Sequence, residues 1–194
     1  QDTKQYPTLK FQYLNRYFKF FDLFESFQGY VDFFHLQDLV VNDYSKIKNW
    51  LYLGRGIYYP VALESALKMK EVAYVHAEGM PGGFLKHGTL AMIDREVNSI
   101  VFIPPRSDRA LYEATIHTVE EIRARSGFVL GLHFDERGKN KDLFSEEIIL
   151  PNVRPIVAPF IQLVIGQLFA YFTAISLKRN IDKPRSLAKS VTVG

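Results

Sequence analysis

"NSIVFIPPRSDRALYEATIHTVEEIRARSGFVLGLHF", residues 98–134, decides the fold. Its first eight residues form an apolar run stopped by Pro104 and Pro105, which reads as a buried strand. Residues 107–127 space their apolar side chains at a helical period. Ser107 or Asp108 is available to cap that helix, and Gly127 lies just past its end. Residues 128–134 return to a short apolar run, a second strand. Strands that alternate with a helix and are apolar on both faces predict a parallel sheet covered on two sides.

Outward from this unit the pattern continues. "NWLYLGRG" (49–56) reads as a strand ending in a glycine turn, and Pro60 suits the first turn of the next helix. We read that helix as running through "LESALKMKEVAYVHAE" (63–78). "EIILP" (147–151) reads as a further strand and residues 154–178 as a long apolar helix. Residues 156–177 carry no charge over a length that could cross a bilayer, but Pro159, Gln162, Gln167 and Thr173 interrupt them. We expect a buried helix and no membrane. Helices are also expected at 8–27 and about 31–45. The first is aromatic on nearly every side, so part of it is expected to meet a partner domain or subunit. The organisation expected is a helical lead-in (1–45) and an α/β unit (46–194). No internal repeat or low-complexity tract interrupts it.

Composition narrows the function classes. The chain has 194 residues and is 47% hydrophobic, enough for a core. Its net charge of +3 comes without blocks of like charge, so nothing points to nucleic acid. There is no cysteine, which excludes disulfides, thiolate zinc sites and a thiol nucleophile, and is compatible with a reducing cytoplasm. No signal peptide is legible at the start. The five histidines show no paired metal-ligand spacing, so no metal and no cofactor are expected.

Four stretches could carry chemistry. On the helix that follows Pro60, Glu64, Leu67, Lys68, Glu71 and Val75 share one face, while Ala62, Ala66, Met69 and Ala73 share the other. The small residues should approach the sheet. The charged face is then either a solvated ion-pair stripe or an active-site face, in which a lysine between two carboxylates holds one ionised and the other poised as a base. "GRG" (54–56) is a tight turn or an anion contact, and lacks the third glycine of a dinucleotide site. "HAEGMPGGFLKHG" (76–88), with four glycines and two histidines, reads as a loop that folds over a ligand. Within it His87 is either a structural residue or a proton carrier. The tail 182–194 is either frayed or docked; docking would fix Lys189. In parallel sheets ligands bind beyond the carboxyl ends of the strands.

"LGRGIYYPVALESALKMKEVAYVHAEGMPGGFLKHGTLAMID" (53–94) and "RSLAKSVTV" (185–193) together resemble the isomerase domain of the glutamine–fructose-6-phosphate aminotransferases, or glucosamine-6-phosphate synthases. The similarity corresponds to the end of the first sugar-isomerase (SIS) subdomain and all of the second. The resemblance implies a three-layer αβα sandwich around a five-stranded parallel sheet. It implies conversion of fructose 6-phosphate to glucosamine 6-phosphate, with ammonia supplied by a glutaminase domain. It implies that Glu71 moves the sugar proton, beside Lys68 and Glu64. It implies that His87 opens the sugar ring from the adjacent subunit, and that Lys189, next to Ala188, acts from the tail. Thr3 is expected at the edge of the phosphate site. The implied partners are a sugar phosphate and a second copy of the chain, along with the parent's glutaminase and first SIS subdomain. The Ser/Thr-rich phosphate loops of that first subdomain are not in this sequence, so weak or no turnover is expected of the chain alone. The sequence departs from the family pattern at Phe84, Thr89 and Gly194. Three rivals are a non-catalytic sugar-phosphate-binding SIS module, an ammonia-dependent glucosamine-6-phosphate isomerase or deaminase, and a stand-alone structural fragment that is folded and inactive. Retention of Glu71, His87 and Lys189 argues against the first, and the "LAKSVTV" ending against the second.

Overall fold

A computed structural model describes residues 33–134 and 142–185. The expected helix at 8–27, Thr3, Ala188 and Lys189 lie outside the described residues. Helix α1 (Phe33–Leu39) continues into a π-helical turn (Val40–Tyr44), then come β1 (Asn49–Gly54) and α2 (Tyr58–Lys68). A second π-helical turn (Met69–Ala73) leads to β2 (His76–Pro81), and two 3-10 turns (Gly82–His87 and Thr89–Met92) lead to β3 (Asn98–Phe102). Helix α3 (Arg109–Arg123), β4 (Phe128–His133), β5 (Glu146–Ile149) and α4 (Ala158–Ser176) complete the order. The five strands pair in parallel in the order β2-β1-β3-β4-β5.

Alternation along the strands feeds two cores. Leu51, Leu53, Val101, Ile103 and Val129 face α3, where they pack with Tyr112, Val119 and Ile122 and with Leu85 of the first 3-10 turn. Trp50, Tyr52 and Phe102 face the other side. Trp50 meets Phe169 of α4 edge to face at 5.2 Å, and a Cβ on Gly166 would touch Phe102. Helices α2 and α4 share this second side, and Gly166 admits Ser65 of α2. The expected three-layer sandwich is therefore present, with the sheet between α3 and the α2–α4 pair.

Helix α4 passes the length and composition test for a membrane span, yet 56% of its apolar window is buried. Buried Gln162 explains why it sits on the sheet: its Nε2 donates to Ile103 O at 2.9 Å and Leu132 O at 2.8 Å, just beyond β3 and within β4.

Three local expectations need correction. The helix does not run to residue 78: Tyr74 turns left-handed (φ 60°) and His76 starts β2. The ligand loop expected at 76–88 accordingly begins as a strand. β2 is an edge strand, the position that tolerates its Gly79 and Pro81. A side chain on Gly79 would meet the Ala62–Leu63 backbone at 2.7 to 2.9 Å, so glycine there lets α2 lie close. At the end of α3 it is Ser126 (φ 63°), not Gly127, that takes the left-handed turn. Gly127 is needed for space, because a Cβ would come within 2.6 Å of Ile93 and Ile122. Asp108 occupies the start of α3 without a side-chain capping bond.

Candidate active site

Helix α2 buries the small face expected of it: Ala62, Ala66, Met69 and Ala73 are all inaccessible. The opposite face holds Glu64, Lys68 and Glu71 half-buried. Lys68 Nζ donates to Glu71 Oε2 at 2.8 Å and lies 3.3 Å from Glu64 Oε1. The hydrogen bond to Glu71, with the charges of Glu64 and Glu71 adding, raises the Lys68 pKa above its usual value against a smaller opposing effect of partial burial. Lys68 therefore stays an ammonium and gives both carboxylates a fixed positive neighbour. Val75 does not share this face: the left-handed Tyr74 breaks the helical register and Val75 is buried.

α2 runs back against the strand direction, so Lys68 and Glu71 come at the amino-terminal edge of the sheet, near the start of β2. The general rule of a site beyond the carboxyl ends does not place this cluster. His87 ends the first 3-10 turn, exposed, its ring edge-on to Phe84 at 5.6 Å. The turn that carries it lies on the α3 side: Leu85 is buried in the α3 core and Lys86 pairs with Glu121 of α3 at 2.7 Å. Glu71 follows α2 on the other side. Within one chain His87 and Glu71 are therefore carried on opposite sides of the sheet.

The "GRG" stretch resolves as a tight turn. A Cβ on Gly54 would lie 2.0 Å from Tyr58 O, and Gly56 has φ +54°. Arg55 reaches across instead, donating Nε and Nη2 to Thr118 Oγ1 at 3.1 and 2.9 Å. Thr118 Oγ1 is in turn 3.4 Å from Gly82 O. Sequence reasoning missed this clamp on the His87 loop, because its partners are 63 positions apart. An open groove of about 510 Å³ runs beside Arg55, Lys86 and His117 along α3, on the His87 side. Among the described residues no group of three or more acidic or imidazole side chains is placed to hold a metal ion.

Comparisons with known proteins agree with this architecture. The SIS domain family matches residues 43–175, and a family of unknown function (DUF6994) matches residues 4–71. A glutamine–fructose-6-phosphate aminotransferase (isomerizing) of Methanococcus maripaludis is 47% identical over 146 residues, 75% of this chain and 23% of that protein. Its counterpart in Aquifex aeolicus is 46% identical over 157 residues, 79% of this chain and 26% of that protein. The C-terminal domain of glucosamine-fructose-6-phosphate aminotransferase from Francisella tularensis superposes with a TM-score of 0.68 at 30% identity, covering 78% of this chain and 42% of that one. The chain thus spans about a quarter of the length of these two curated relatives. Its sheet order, its two-sided helical cover and the match over residues 43–175 lead to one conclusion: the chain belongs to the SIS domain family.

Proposed function

We propose that residues 46–194 form the second SIS subdomain of a glucosamine-6-phosphate synthase, following a helical lead-in at 1–45, and supply half of its sugar-isomerising site. The observation that carries this reading is the Glu64–Lys68–Glu71 cluster, in which one ammonium lies 2.8 and 3.3 Å from two half-buried carboxylates on the face turned away from the sheet. The relatives' similarity to this part of the chain supports it.

In this reading ammonia condenses at C2 of fructose 6-phosphate to give an imine. Glu71 takes a proton from C1, leaving an enolamine, and returns a proton to C2, which yields the 2-amino aldose. Lys68 holds Glu71 in place and keeps positive charge beside it. Glu64 and Ala188 line the sugar, and Lys189 binds negative charge or forms an imine from the tail. His87 opens the ring of a sugar bound to a second copy of the chain; the opposite placement of Glu71 and His87 across the sheet supports a homodimer. The parent's glutaminase and first SIS subdomain supply ammonia and the phosphate cradle, with Thr3 at the cradle's edge. The reading carries a cytoplasmic location with it.

Calorimetric titration with fructose 6-phosphate and glucosamine 6-phosphate tests the proposal. Binding that weakens at least tenfold in both Glu71→Gln and Lys189→Ala is the expected result. Sugar-phosphate binding that neither substitution alters would overturn the site, and no binding at millimolar ligand would show that this chain alone holds no sugar.

A further inference from the structure

Arg55 sits in the turn between β1 and α2, and its side chain crosses to α3. Its backbone carbonyl accepts from Tyr58 N–H at 3.0 Å, at the first residue of α2. Its Nε and Nη2 both donate to Oγ1 of the fully buried Thr118. The first two residues of the His87 turn lie directly on this pair. A Cβ on Gly82 would stand 3.3 Å from both Arg55 Cγ and Thr118 Oγ1, and one on Gly83 would stand 3.1 Å from Arg55 Nη1.

Two other contacts hold the turn, and neither fixes its orientation. Leu85 is buried, but apolar burial is non-directional. Lys86 pairs with Glu121, but its side chain is 62% exposed, where an ion pair contributes little. Just past His87, Gly88 takes φ 137°, and a side chain there would meet nothing within 4 Å, so no packing defines the chain at that point.

We propose that Arg55 is a positioning residue for His87: its guanidinium, seated on Thr118, sets the orientation of the turn that presents the imidazole. The donors of a guanidinium lie in one rigid plane, so two N–H groups converging on one oxygen fix that plane. The same residue precedes the helix of Glu64, Lys68 and Glu71, and so references the imidazole to the start of that helix. The catalytic use of His87 rests on the function proposed above; the positioning does not.

Nuclear magnetic resonance of the whole chain tests this. The Phe84 ring stands 5.6 Å from the His87 ring, so the His87 ring protons carry a ring-current shift, and His87→Gln identifies them among the five histidines. Trp50, the single tryptophan, is buried against α4, and its indole N–H reports the fold. Thr118→Val keeps the shape and removes the hydroxyl; Arg55→Met keeps the stem and removes the donors. In both, the His87 resonances should move toward those of an unstructured histidine, and amide exchange at Leu85, Lys86 and His87 should quicken about tenfold. The Trp50 signal and the urea midpoint should barely change, because a released guanidinium borders an open groove where water solvates it. A merely structural residue would move those two readouts together with His87. Thr118→Ser restores the acceptor and should restore His87, and the double variant Arg55→Met/Thr118→Val should be no worse than either single one. The proposal is overturned if His87 and the turn amides are unchanged in both variants, if Trp50 shifts equally, if Thr118→Ser fails to rescue, or if the two losses add. No sugar enters these measurements, so they stand apart from the enzyme reading. A displaced His87 in Thr118→Val, together with fructose 6-phosphate binding that His87→Ala does not alter, would remove the role of His87 and leave the positioning standing.

Discussion

Glu71 and His87 lie on opposite sides of the same sheet. Glu71 follows α2, which packs with α4, whereas the turn carrying His87 is held to α3 through Leu85 and the 2.7 Å Lys86–Glu121 pair. If both serve one sugar, they come from two chains. An equimolar mixture of Glu71→Gln and His87→Ala chains should then bind more sugar phosphate than either variant alone, because mixed dimers contain one site with neither substitution. A mixture no better than its components, measured by calorimetry, would remove the shared site.

Lys68 contributes to charge placement far more than to stability. Its pairs are partly solvated, and exposed ion pairs contribute about 0–1 kcal/mol. Lys68→Met should shift the urea midpoint by an amount corresponding to less than about 1 kcal/mol, while sugar-phosphate binding falls at least about tenfold, the result of losing about 1.4 kcal/mol. The sign with pH is fixed as well. The folded-state pKa of Lys68 lies above its usual value of 10.5, so the small stabilisation is fully present below that pH and is lost as pH rises through the folded value. The difference between wild type and Lys68→Met should be flat across neutrality and shrink only above pH 10.5.

Tyr58 should make the fold alkali-sensitive. Burial, with the negative charge of Asp108 adding, pushes its phenol up from 10.0 to about 12. Folded chains then hold the Tyr58 proton more tightly than unfolded ones, and stability drops between pH 10 and about 12 as the unfolded state ionises first. Tyr58→Phe should lose stability less steeply over that interval in chemical denaturation. Equal slopes would show that this phenol is not perturbed.

Gln162 fastens α4 to the sheet through two buried bonds, to Ile103 O and Leu132 O. Gln162→Leu removes both and should destabilise the chain by about 2 kcal/mol, within the 1–3 kcal/mol expected for orphaned buried polar groups. An unchanged denaturation midpoint would contradict the role given to this side chain.

Gly166 allows α4 to touch α2. An added methyl would lie 2.7 Å from Ser65 Cβ, and that contact cannot be relieved by rotating the Ser65 hydroxyl. Gly166→Ala should cost about 1–3 kcal/mol by overpacking. With Ser65→Gly on the facing helix the two losses should add to less than their sum, as contacting residues do.

The β3–α3–β4 unit was legible in the sequence because each part is periodic over its own length. Apolar runs bounded by Pro104 and Pro105 or by Gly127 state their own limits, and parallel pairing follows from the helix between them. The Glu64–Lys68–Glu71 cluster was legible for the same reason, since spacings of three and four residues fix neighbours on a helix. β2 was not: its Gly79 and Pro81 argue against a strand until β1 supplies a partner and leaves β2 at the edge. Nor was the end of α2, because tyrosine is not a helix-stop residue. Tyr74 turns there while its side chain meets Arg185, and Arg55 bonds Thr118, in contacts spanning 111 and 63 positions. By itself the sequence determined the strand–helix alternation and the charged face of α2. Only the tertiary structure decided which face of the sheet each candidate residue occupies, because that depends on packing between segments whose local periodicity carries no information about one another.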